Sequence, residues 1–169
     1  EFFQVVAAEL GLELEENFAV GMVFLNLDDS LAAHSHKVLD EEIEQQGLTV
    51  AGWRDVPVDL SIVGEIARET LPQFKQVFVN APAELSAEDF NRKLYVARKK
   101  AEIALTEDPL FYVTSLNCET VIYKGLVLPS DLPAFYSDLQ DSRLHSHIVV
   151  FHQRFSTNTF PPWSLAHPF

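Results

Sequence analysis

The stretch Phe18-Ala19-Val20-Gly21-Met22-Val23-Phe24-Leu25-Asn26-Leu27 holds a continuous apolar run, Phe18 to Leu25, and is bounded by polar residues. It is shorter than a buried helix usually is, and it reads as a buried strand. The other elements are placed outward from it. Upstream, Phe2, Val5, Val6 and Leu10 recur at helical spacing and predict a helix over 2–12. Downstream, Ser30 is placed to cap a helix running through Gln46, and Gly47 sits where a C-terminal cap belongs.

Further along, 48–56 reads as a strand that ends before Pro57, and 61–70 as a helix that stops before Pro72. Residues 74–80 alternate and predict a strand. Ser86 opens a helix to about Leu105, with acidic residues in its first turn. Residues 110–116 and 120–124 are expected to pair as a hairpin across Asn117-Cys118-Glu119. A short helix is expected over 129–139 and a strand over 146–155. Strands mixed with helices, without strict βαβ alternation, indicate an α+β domain of packed layers. No internal repeat, low-complexity stretch or linker interrupts it.

A length of 169 residues suits one domain. Folding a chain of this size removes roughly 70% of its surface from water. Apolar residues make up 47% and charged residues 22%, so the chain has the composition of a folded soluble domain. Ile148-Val149-Val150-Phe151, one of the longest apolar runs, is far short of the ~20 residues a membrane helix needs. The net charge of −13 argues against nucleic acid and anionic membranes as partners. The single cysteine, Cys118, excludes an internal disulfide and a multi-cysteine zinc or iron–sulfur site within these residues. A cytoplasmic protein is the default. The chain opens Glu1-Phe2-Phe3-Gln4, without a basic leader or an initiator methionine, and stops at His167-Pro168-Phe169. The expectation is an internal stretch of a longer protein.

The functional signal lies in His152-Gln153-Arg154-Phe155-Ser156-Thr157-Asn158-Thr159-Phe160-Pro161-Pro162-Trp163-Ser164-Leu165-Ala166-His167-Pro168-Phe169. Arg154 ends the expected strand, and its guanidinium fork matches a carboxylate. Ser156, Thr157, Asn158 and Thr159 crowd polar side chains behind it, as a pocket for a small zwitterion would need. From these residues alone, the simpler reading, a surface loop with Arg154 in a structural ion pair, is preferred.

The run from Arg154 to Phe169 closely resembles a signature of the class II glutamine amidotransferase domain at the N-terminus of glutamate synthase large subunits. The resemblance extends in order through Phe18–Leu25, Gly52–Val58, Arg92–Lys99, Phe111–Leu116 and Tyr123–Leu126, and so covers nearly the whole chain. It implies a layered αββα N-terminal-nucleophile (Ntn) hydrolase sandwich, incomplete in residues 1–169, which would form the central part of the domain. By the resemblance, Arg154 pairs with the α-carboxylate of glutamine, Thr157 contacts the substrate or the loop that holds it, and Ser156 and Asn158 support the pocket. Trp163 and His167 are expected to fix the loop. The family nucleophile is a cysteine at the mature N-terminus whose own amine serves as base. Here position 1 is Glu, and the family's Asn-Gly oxyanion pair would follow Phe169. No catalytic residue is therefore assigned within the chain, and the 169 residues alone are expected to be inactive.

What the resemblance implies for the longer protein is an oxidoreductase of glutamate biosynthesis and ammonia assimilation. It would hydrolyse glutamine to glutamate and ammonia, and use the ammonia to aminate 2-oxoglutarate reductively. Flavin mononucleotide (FMN) and an iron–sulfur cluster are implied there, with no cofactor in this chain. The implied partners are glutamine, the remaining domains of the large subunit and, in some members, a small electron-donating subunit. The location would be cytoplasmic, or the plastid in a plant or alga. The competing reading is a non-catalytic, glutamine-binding regulatory relative that keeps the pocket and lacks the nucleophile.

Other residues invite functional readings. Cys118, inside the expected hairpin turn, is read as a bystander thiol because no activating base is near it in sequence. His34/His36 and His145/His147 share i, i+2 spacing, but two ligands do not make a metal site, and none is assigned. Arg54-Asp55 is read as structural, each side chain pairing elsewhere. The acidic run Asp40-Glu41-Glu42 with Glu44, and the basic run Arg98-Lys99-Lys100, are read as solvated helix faces.

Overall fold

A computed structural model describes residues 1–153 and 162–166. Its central strand is β1 (Phe18–Leu25), buried along nearly its whole length. Side chains alternate across a strand, so burial throughout means that both faces are covered. Ala19, Val23 and Leu25 enter one apolar cluster. Val20, Met22 and Phe24 enter two others on the opposite face.

Among the described residues, β1 lies in one antiparallel sheet with β2 (Thr49–Asp55), β3 (Gln73–Asn80) and β4 (Tyr112–Asn117). The order is β2-β3-β1-β4. β1 and β3 run in unbroken register from Phe18 opposite Asn80 to Leu25 opposite Gln73. The β1–β4 pairing shifts at Met22/Val23, and the β2–β3 pairing between Val50 and Gly52.

The near face of the sheet is covered by α2 (Asp29–Gln45) and α4 (Ala87–Ala104). Ala32, Ser35, Leu39 and Ile43 form the buried stripe of α2; Phe90, Leu94, Ala97 and Ala101 form that of α4. Both stripes have the three-and-four spacing of one helical face. Asp28, two residues before Ser30, is the N-cap of α2, and its carboxylate accepts from the amides of Ser30 and Leu31. Gly47 follows the helix with φ of 73°, the left-handed conformation that a C-terminal cap requires. Ser86 caps α4 by accepting from the amide of Asp89.

The far face is covered differently. At one end lies α1 (Phe2–Glu9), which packs Phe2, Val6 and Ala7 on Val20 and Phe78. The rest is covered mostly by coil. The helix expected over 61–70 is a 3-10 turn (Leu60–Ile62) and one α turn, α3 (Glu65–Arg68), separated by extended Val63 and Gly64. The helix expected over 129–139 is a single turn, α5 (Leu132–Phe135), followed by a 3-10 turn (Ser137–Gln140). The expected hairpin does not form. Asn117 bends the chain at once by accepting from the amides of Glu119 and Thr120, and Ser115 Oγ accepts from the amide of Ile122 where a strand ladder would have run. Residues 146–153 of the expected last strand run without strand pairing; 154 and 155 lie outside the described residues.

This coil is locked to the sheet by a buried polar ring. Arg54 of β2 donates from Nη1 to Asp138 Oδ1 at 3.2 Å and from Nη2 to Oδ2. Its Nε donates to Gln76 Oε1 at 2.8 Å. Gln76 Nε2 donates to Tyr123 Oη at 3.2 Å, and Tyr123 Oη donates to Asp138 Oδ2 at 2.7 Å. The Arg54 and Asp138 side chains are 7% and 4% exposed, so the pair is out of water. Burial first, and then the Asp138 charge, hold the Tyr123 hydroxyl protonated far above the usual phenol range.

Removing one partner of such a pair leaves a buried charge unmatched. Asp138→Ala is expected to lower the unfolding free energy by about 3–5 kcal/mol. The double change Arg54→Met/Asp138→Leu should cost less than that single change in denaturant titrations. Equal losses would show that the stranded charge is not what the single variant suffers from.

Candidate functional site

Arg154, Ser156, Thr157 and Asn158 lie outside the described residues, as does His167. The chain on either side of them is described, and both flanks face one open cleft of about 1300 Å³. Gln153 lines it from one flank, Leu165 and Ala166 from the other. Phe18 and Val20 of β1 and the coil around Lys124 complete the walls. Small-molecule pockets typically enclose about 300–1,000 Å³, so this cleft is wider than a free amino acid would fill.

The flank after the polar run is anchored by Trp163. Its indole is 1% exposed. It meets Phe74, Phe135 and Phe24 with ring centroids 5.1, 5.6 and 6.3 Å away. Its Nε1 donates to the Ala67 carbonyl at 2.7 Å, which satisfies the one polar atom buried with the ring. Gly125 is a glycine because of this packing: a Cβ there would stand 2.9 Å from Trp163 Cζ3.

Beside it, Lys124 is a lysine inside the protein, 2% exposed. Its Nζ donates to the Ser164 carbonyl at 2.9 Å and lies 4.1 Å from the centroid of the Tyr112 ring. Burial, with help from the Arg98 charge, brings its ammonium down to about 8. The Lys124 carbonyl accepts from Tyr136 Oη at 2.8 Å. Sequence reading placed Lys124 at the end of an expected strand and gave it no role. The available signal was a lysine followed by glycine in an otherwise apolar stretch.

The other candidates separate cleanly. Arg54 and Asp55 point apart, as their adjacency suggested: Arg54 to Asp138, Asp55 to Lys75. His145 and His147 are exposed on the cleft wall. His34 is exposed, while His36 stacks on Trp53 with centroids 4.0 Å apart and meets Asp40 at 3.3 Å. The acidic run is not simply a solvated face. Asp40 accepts from Trp53 Nε1 at 2.8 Å, and Glu42 faces Lys100 of α4 at 3.6 Å. In the basic run, Arg98 and Lys99 both pair with Glu102.

In comparison with known proteins, the family described as glutamine amidotransferases class-II matches residues 1–169. The chain belongs to the class II glutamine amidotransferases. It is 43% identical over 169 residues to the glutamate synthase [NADPH] large chain of Bacillus subtilis (strain 168), covering 99% of this chain and 11% of that protein. It is 41% identical over 173 residues to ferredoxin-dependent glutamate synthase 1, chloroplastic/mitochondrial, of Arabidopsis thaliana, again 99% and 11%. To the glutamate synthase [NADPH] large chain of Azospirillum brasilense it is 39% identical over 175 residues, 100% and 11%. The chain thus spans about a tenth of the length of these curated relatives.

Among the described residues, Cys118 has none of the surroundings of an activated thiol. It is partly buried, its amide donates to Asn91 Oδ1 at 3.0 Å, and its Sγ lies 3.9 Å from the Ala87 carbonyl. Burial, and then the Glu119 carboxylate, push its thiol above the ordinary cysteine range. Alkylation of Cys118 followed by peptide mapping should therefore be slower at pH 8 than that of a free thiol, and should still be rising above pH 9. A plateau below pH 8 would mean an activated thiolate.

Proposed function

We propose that residues 1–169 build one wall of the glutamine pocket in the glutaminase domain of a glutamate synthase. In this reading the full-length protein hydrolyses glutamine to glutamate and ammonia, and the ammonia reductively aminates 2-oxoglutarate. The supporting observation is that one family matches residues 1–169, a span that contains the run Arg154-Phe155-Ser156-Thr157-Asn158. Arg154 holds the α-carboxylate of glutamine through its bidentate fork. Thr157 offers a hydroxyl to the substrate or to the loop around it, and Ser156 and Asn158 support that loop. The four-stranded sheet with α2 and α4 on its near face would be half of an αββα sandwich.

The thiol that attacks the amide comes from outside residues 1–169, because Cys118 is the single cysteine here and its surroundings do not activate it. Residues 1–169 alone are accordingly inactive. An iron–sulfur cluster takes several cysteine ligands, and this sequence has one. The cluster of the full-length enzyme would therefore lie in its other parts, and in this reading the flavin mononucleotide and any electron-donating subunit are met there as well. The enzyme would act in the cytoplasm, or in a plastid.

In the full-length protein, Arg154→Ala should raise the KM for glutamine about 10- to 150-fold, the worth of a charged hydrogen-bonded contact. Synthesis from ammonia should continue at its ordinary rate. Unchanged use of glutamine would remove Arg154 from the pocket and, with it, this assignment of the site.

A further inference from the structure

We infer that the outer face of α4 is an interface: the stripe of Arg92, Tyr95, Val96, Lys99 and Ile103 seats an acidic surface with an apolar centre, carried by another part of the same full-length polypeptide. This surface rests on the proposed reading of residues 1–169 as one stretch of a longer enzyme.

α4 buries Phe90, Leu94, Ala97 and Ala101 against the sheet. At about 3.6 residues per turn, the five residues of the stripe fall on the opposite side. All five are exposed. Tyr95 is 58% and Ile103 74% exposed. α2 lies beside α4 in the same layer and gives the contrast. Past its first turn, its outward positions are His34, Lys37, Glu41 and Glu44, all exposed and all polar. That is what a solvated helix face looks like in this protein. A single exposed apolar side chain needs no explanation, but Tyr95, Val96 and Ile103 follow one another along one face. Tyrosine and arginine are also the residue types that concentrate where surfaces meet.

Charge points to the chemistry of the partner. α4 carries five of the chain's 12 Lys and Arg and three of its 25 Asp and Glu, so it is net positive in a chain of net charge −13. The cations of the stripe are held by neighbours on the same helix. Arg92 pairs with Glu88 at 2.9 Å and Asp89 at 2.6 Å, and Lys99 with Glu102 at 2.7 Å. Lys99 Nζ also lies 5.9 Å from the centroid of the Tyr95 ring. Ion pairs between such exposed side chains contribute little, so these cations can turn to an incoming carboxylate at small cost. A basic rim around a tyrosine and two aliphatic side chains complements an acidic rim around an apolar centre.

Two observations favour the same polypeptide over a second copy as the source of that surface. Residues 1–169 span about a tenth of the length of the curated relatives. In the proposed reading, the remaining polypeptide is tethered to α4 and meets it at an effective concentration that a separate molecule does not reach. A second copy of these residues would approach with a net charge of −13 against −13, and that repulsion opposes the encounter.

The test uses the full-length enzyme, with its intact mass measured first. A mass near 19.1 kDa would overturn the reading and the interface together. In the longer enzyme, hydroxyl-radical footprinting should label Tyr95 and Ile103 about ten-fold more slowly than their exposure in residues 1–169 implies, as for side chains at the core of an interface. His34 on α2 should be labelled at its full rate. Equal protection of Tyr95, Ile103 and His34, each relative to its free amino acid, would overturn the interface and leave the reading standing. Carbodiimide coupling should join Lys99 to an Asp or Glu outside residues 1–169. Coupling to Glu102 alone would overturn the acidic partner. In a mixture of unlabelled and heavy-nitrogen enzyme, a crosslink from Lys99 that joins the two would seat a second copy on the stripe, which also overturns the inference. Ile103→Asp, a change at an exposed position, should raise Tyr95 labelling about three- to ten-fold by removing one central contact. Continued protection of Tyr95 in that variant would overturn the stripe as one surface. The kinetics of Arg154→Ala test the glutamine pocket separately, so the pocket and the interface can each fail alone.

Discussion

A guanidinium and a carboxylate that have both left water hold the two sides of this molecule together. Arg54 projects from β2, and Asp138 comes from the coil that covers the sheet's far face. Burying each ion costs several kcal/mol. The arrangement is tolerable because the fork meets the carboxylate with two bonds and because Gln76 and Tyr123 take up the polar atoms that remain. From that ring a line of dependence runs outward. The coil bearing Asp138 also bears Tyr136, Tyr136 supports the backbone of Lys124, and Lys124 supports Ser164. The apolar contacts of Trp163 supply bulk stabilisation, while the polar bonds select one placement among the many that oily surfaces would accept.

The two faces of the sheet are therefore built on different principles. The near face is helical and apolar, its stripes on α2 and α4 legible as periodicity, its caps ordinary. The far face is covered chiefly by coil, and coil must settle its backbone groups one at a time. That is where the glycine contact, the buried lysine and the ion pair are found, and the cleft opens beside it. A domain that places its irregular chain on the face with the cleft can vary that cleft while the helical face keeps the sheet intact.

Legibility in the sequence divides along the same line. α2 and α4 could be read because their burial stripes have a period, β1 because it is an unbroken apolar run, β3 because its residues alternate, and Gly47 because a helix end has a backbone requirement. The hairpin over 110–124 was misread because Asn117 and Ser115 side chains compete with the strand ladder, and propensity does not see that competition. The helices over 61–70 and 129–139 each break into an α turn and a 3-10 turn, because the backbone is extended at Val63 and Gly64 in the first and at Tyr136 in the second. The partnership of Arg54 with Asp138 spans 84 positions and leaves no local trace. For the site, the polar run after Gln153 announced itself through residue types and through resemblance to the class II amidotransferases. Lys124 did not, because a lysine's sequence neighbours do not reveal whether its ammonium reaches water.

The run Ile148-Val149-Val150-Phe151 has one more implication. These four residues are between 76% and 90% exposed, uncharged, rich in β-branched side chains and free of proline. Such a segment offers its backbone to any strand that comes alongside. Its self-association is opposed mainly by the mutual repulsion of chains carrying a net charge of −13. Colloidal behaviour of this piece of chain is thus governed by ionic strength: dilute buffer keeps copies apart, and salt, by shortening the reach of that repulsion, lets the sticky edge find its like.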